Sequence, residues 1–123
     1  MNVFLWILQG LLAVVFTGSG VAKSMMSRQR LIATGQTGVA VFPMPVVRFT
    51  AGCELLAAAG LVLPWATGVA RVLTPLAAVG LCVVMVGAAS SHARLREARN
   101  VAANVLLFGL ALTVAIARFA EIS

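Results

Sequence analysis

Apolar residues run almost unbroken through four parts of this chain, and polar residues gather between them. Residues 1–22, 49–70, 72–93 and 100–117 contain no Lys or Arg. A helix that crosses a bilayer needs about 20 such residues, with a range of roughly 17–25. In lipid, only helices or closed barrels satisfy the backbone, and these runs lack the apolar–polar alternation of barrel strands. The pattern predicts an all-α fold, a transmembrane four-helix bundle with short loops. It forms one domain over 1–123, with helices at about 3–22, 46–63, 69–91 and 100–119. Pro64 is expected to stop the second helix, while Pro75, early in the third, is tolerable as a kink.

The longest connection, 24–45, is too apolar for a free loop: it carries Met25, Met26, Leu31, Ile32, Val39, Val41 and Phe42. A short interfacial helix is expected near 27–33, followed by an irregular return broken at Gly35 and Gly38 and ended by Pro43 and Pro45. This connection is expected to cover part of one mouth of the bundle.

Composition agrees. The chain is 62% hydrophobic and 10% charged, against about 25% charged in a soluble domain. The net charge of +6 changes the picture through its distribution. Lys23, Arg28, Arg30 and Arg48 flank the first connection, and Arg94, Arg96 and Arg99 occupy the third. The second holds only Arg71, and the C-terminal end only Arg118. By the positive-inside rule the first and third connections are cytoplasmic. Both termini are then expected outside an inner (plasma) membrane, in the periplasm of a bacterium. Residues 1–22 read as a retained helix rather than a signal peptide, because no positive n-region precedes them and Lys23 stands where a small residue should be. No aromatic–basic interleaving points to nucleic acid. Cys53 and Cys82 form no C-x-x-C, and with one His no metal site is expected; they read as unpaired core residues.

Glu54 is the one acidic residue inside the apolar segments. It falls eight residues after Val46, about 12 Å into the second helix at ~1.5 Å per residue. Its helical neighbours Thr50, Ala51, Ala57 and Ala58 make a small, slightly polar face suited to burial. A buried carboxylate needs a proton or a partner. The topology brings Lys23, Glu54, His92 and Asn104 to the same half of four different helices. Lys23, Arg48 and His92 are the candidate cationic partners and Asn104 a candidate donor. Three readings stay open: a polar network that docks the helices, a pocket for a small hydrophobic ligand, and a proton-coupled site. No catalytic residue is assigned.

These residues carry a family resemblance. The first-helix ending Gly18-Ser19-Gly20-Val21-Ala22-Lys23, the second-helix segment from Gly52-Cys53-Glu54 to Leu63-Pro64, and His92 with its basic turn and Asn104 together resemble the DoxX and DoxX-like small membrane proteins. The resemblance implies a four-helix integral membrane protein with family positions at Lys23, Glu54 and His92. Some relatives belong to thiosulfate:quinone oxidoreductases, others to thiol-oxidative-stress complexes, and a distant animal relative assists receptor-channel assembly. The expected role is an accessory or assembly subunit with a polar intramembrane site. Its expected partners are the lipid bilayer, another membrane protein or a small hydrophobic ligand, with homo-oligomerisation open. The alternatives are a subunit of a quinone-reactive thiol or thiosulfate oxidoreductase, with quinone as candidate cofactor, and a minimal proton-coupled transporter. Without a C-x-x-C, autonomous catalysis is not expected.

Overall fold

The computed structural model describes residues 2–34 and 36–122, so the expected break at Gly35 lies outside the described residues. Its four long helices are α1 (Asn2–Met25), α3 (Met44–Thr67), α4 (Leu73–Arg94) and α5 (Ala98–Ile122). Each is long and apolar enough to cross a membrane. Between α1 and α3 lie the short α2 (Arg28–Ala33) and a 3-10 helix (Thr37–Val41). Ser27 caps α2 by accepting from the Arg30 amide, which supplies a partner for one of the open amides of a helix start. The described residues contain no strand.

The helices form a ring in the order α1, α3, α4, α5, with α1 packed most closely on α3 and α4 on α5. Leu12, Phe16, Leu61, Leu81, Met85 and Val114 lie in the core. Large apolar side chains such as Val14, Phe49, Leu56, Val83 and Leu106 point outward. A water-soluble bundle would bury these; here the outer face is suited to lipid. Small residues bring the helices together. A Cβ added at Gly20 would stand 2.7 Å from Leu55 Cγ, and one at Gly60 would stand 3.0 Å from Ala77 Cβ. Close backbone approach through small residues is the usual packing device between membrane helices.

Two boundaries differ most from the sequence expectation. The second long helix does not stop at Pro64: α3 continues to Thr67, where Gly68 at φ 75° closes it with a left-handed cap. A proline removes the N–H that would bond the carbonyl four residues earlier, here that of Gly60. Thr74 of α4 donates its hydroxyl to that carbonyl at 2.8 Å. Gln9 of α1 donates to the adjacent Leu61 carbonyl at 2.5 Å. Neighbouring helices thus satisfy the backbone that proline disturbs. The third long helix begins at Leu73 rather than near residue 69, because Ala70 sits at φ 52° in the connecting turn.

The connection between α1 and α3 is packed down as a cover. Leu31, Val39 and Val47 form a small buried cluster flanked by Met26 and Phe42. Arg28 donates to the Phe42 carbonyl at 2.9 Å. The end of the bundle beneath this cover is called here the loop end, and the opposite one the terminus end.

Candidate functional site

Glu54 faces inward from α3 with no exposed surface. The small residues around it leave room for one long side chain from α1, and Lys23 fills it. The Lys23 ammonium meets Glu54 Oε1 at 2.6 Å, with the Lys23 side chain only 15% exposed. Among the described residues, the second oxygen, Oε2, is buried without a hydrogen-bond partner. The pair is charge-compensated but not fully satisfied.

The other two cationic candidates go elsewhere. Arg48 donates from Nη1 to the Lys23 backbone carbonyl. It closes the C-terminal turn of α1, where carbonyls lack helical partners. His92 pairs through Nδ1 with Glu97 Oε1 at 2.8 Å, and Thr37 of the cover donates to the same oxygen at 2.7 Å. The Glu97 carboxyl is held below its ordinary value, first by the His92 hydrogen bond and then by that of Thr37. Glu97 was not among the residues singled out from sequence. A lone acid in a basic turn gives no signal until the fold brings Thr37 beside it.

Lys23, His92 and Asn104 nevertheless share one space. A cavity of about 1240 Å³ runs between α1, α3 and α4, with Asn104 and Leu107 of α5 reaching its wall. Its polar lining gathers at the loop end, where Ser19, Lys23, Gln36, Ser91, His92 and Asn104 lie. The rest is apolar, from Phe16 and Val47 to Leu81 and Met85. Phe49, Leu56 and Val83 line it and are also strongly exposed, so the cleft opens sideways between α3 and α4. Glu54 does not line it and lies behind Lys23. Both cysteines are free. Cys53 is on the cleft wall, while Cys82 is in the core with its thiol 3.8 Å from the Phe108 carbonyl. No cluster that could hold a metal ion occurs among the described residues.

A second polar network, unforeseen from sequence, lies at the terminus end. Arg118, read above only as a charge outside the membrane, is fully buried. Its Nε donates to Gln9 Oε1 at 2.7 Å, and its Nη1 to Asn2 Oδ1 at 3.0 Å and Glu121 Oε2 at 2.8 Å. The guanidinium stands 4.4 Å from the Trp65 ring centre and 5.8 Å from that of Trp6. Charge, hydrogen bonds and aromatic faces offset the cost of burying a guanidinium. The available signal was Gln9, a polar residue in an apolar run that needs a partner.

Neither the curated proteins nor the solved structures compared with this chain contain a match. The sequence model of the DoxX-like family matches residues 7–115. Four apolar spans, a covered loop end and a match over nearly the whole chain lead to one conclusion: this is a multi-pass membrane protein that belongs to the DoxX-like family.

Proposed function

We propose that this protein is an accessory or assembly subunit whose α3–α4 cleft holds a small amphipathic ligand within the membrane. The observation that carries this reading is the cleft itself: apolar walls open to the lipid side, with polar side chains collected at one end. Ligand sites combine mostly apolar linings with a few convergent polar groups, and drug-sized ones occupy about 300–1,000 Å³. This cavity is somewhat larger, which suits a molecule with a tail. Lys23 stands on its wall, stiffened by Glu54 behind it. Lys23 offers a donor to the cleft, and Glu54 holds the ammonium in place.

Gly80 provides the test. It lines the cleft, and a Cβ added there meets nothing within 4 Å. Gly80→Leu should fill the space while leaving the helix intact. Protein purified in mild detergent should carry a specific small molecule, detected by mass spectrometry, that Gly80→Leu loses while keeping its melting temperature. An identical inventory from both proteins would count against the site. A bilayer-dissolved quinone is the alternative occupant favoured by the same lateral opening, and it would be recognised in that inventory.

Within the membrane we place the loop end in the cytoplasm, on the strength of seven basic residues against two at the terminus end. A reporter fused after the C-terminus should be active as alkaline phosphatase and dark as a cytoplasmic fluorescent protein. The opposite pattern would reverse the orientation.

A further inference from the structure

The cover, the turn before α5 and the cleft meet at His92. Glu97 Oε1 receives hydrogen bonds from two sides, Thr37 and the Nδ1 atom of His92. An ionised carboxylate only accepts, so Nδ1 carries a hydrogen. In the neutral imidazole the other nitrogen, Nε2, is then an acceptor. Carboxylates commonly set the tautomer and ring orientation of a histidine in this way. His92 lines the polar end of the cleft, and with Nδ1 engaged by Glu97 its remaining ring nitrogen is the one left for a ligand.

We infer that the cleft selects lipid-dissolved molecules whose head carries a hydrogen-bond donor, a hydroxyl or thiol, received by Nε2 of His92. Glu97 and Thr37 act as positioning residues. The inference rests on the ligand-site reading above and adds the polarity of the head. The lateral opening past Phe49, Leu56 and Val83 admits such molecules from the bilayer. The Lys23 ammonium on the cleft wall is already neutralised by Glu54 behind it, so the cleft does not need an anionic head. A head with only acceptors would leave the Nε2 lone pair facing another acceptor, and a site built to pair a donor rejects an analogue lacking it.

The test uses the full chain in phosphatidylcholine nanodiscs with two probes, a long-chain para-alkylphenol and its O-methyl ether. The phenol should bind about tenfold tighter, the size of effect expected for one hydrogen bond. His92→Phe should bring the two affinities together. Glu97→Gln presents an amide that can donate to Nδ1, moving the ring hydrogen to Nε2 and removing the preference for the phenol. Nitrogen-15 NMR should report the Nδ1–H tautomer in the wild type and a shift toward Nε2–H in Glu97→Gln, a readout that a merely structural role would not move. Equal binding of both probes, abolished by Gly80→Leu, would overturn the donor selectivity and leave the site standing. Binding of neither probe, or binding indifferent to Gly80→Leu, would overturn the site reading and the selectivity with it. An Nε2–H tautomer, or a doubly protonated ring, in the wild type would overturn the selectivity alone.

Discussion

Glu54 is costly to keep and costlier to break. Its carboxylate has no contact with solvent and one strong partner in Lys23. Removing one member of a buried pair leaves an uncompensated charge and costs roughly 3–5 kcal/mol, whereas replacing both with apolar residues of similar volume is often neutral. Glu54→Ala should therefore lower the unfolding free energy in detergent by about that amount, and Lys23→Met with Glu54→Met should recover most of it. Glu54→Gln separates docking from ligand binding: unchanged stability with the bound molecule lost would identify a working site. Sequence identified the carboxylate and three possible cations for it. It could not choose among them, because Arg48 and His92 also lie at the correct end of their helices. Lys23 wins because α1 packs most closely on α3, while Arg48 and His92 have nearer partners in the α1 carbonyl and Glu97.

Among the elements, α3 depends most on its neighbours. Its last turn survives a proline because Thr74 donates to the Gly60 carbonyl. Thr74 is fully buried, so Thr74→Val would leave that carbonyl bare at almost unchanged volume. A buried polar group left unsatisfied costs about 1–3 kcal/mol. The variant should lose that much stability and increase hydrogen exchange in the α3 amides after Pro64, while Thr74→Ser should keep both near wild type. Unchanged exchange in Thr74→Val would mean that the helix continues past proline for another reason. Sequence periodicity could not anticipate this device. Thr74 lies beyond the turn, and its relation to Gly60 exists only once α3 and α4 are side by side.

For the whole molecule, besides the Lys23–Glu54 pair, two polar networks hold opposite ends of the bundle. The Arg118 network ties α1 to α5 and meets Trp65 of α3 at the terminus end. The Glu97 network ties the cover to α4 at the loop end. Because the Glu97 carboxyl is held below its ordinary value when folded, its contribution is complete above the ordinary carboxylate range, near roughly 4.3. It is lost as pH falls through the lower, folded value. The Thr37 hydroxyl keeps donating only while that oxygen accepts, and His92 and Asn100 share the same carboxylate. Amides 37–41 should thus exchange faster in strongly acid solution, after correction for intrinsic exchange rates. Glu97→Gln should flatten that dependence. A cover equally protected at both pH values would show that its apolar contacts with Leu31 and Val47 suffice.

The four spans, the buried carboxylate and the membrane setting were legible in the sequence alone, because hydropathy over some 20 residues is a local quantity that the bilayer reads directly. The pairing of Lys23 with Glu54, the diversion of His92 to Glu97, the burial of Arg118 against Gln9 and the survival of α3 past Pro64 were decided by the tertiary structure. Each depends on which helices become neighbours and at what height. In lipid that choice follows small-residue packing and the need to give buried polar groups partners. Those requirements join residues as distant as Gln9 and Arg118, and no local pattern records them.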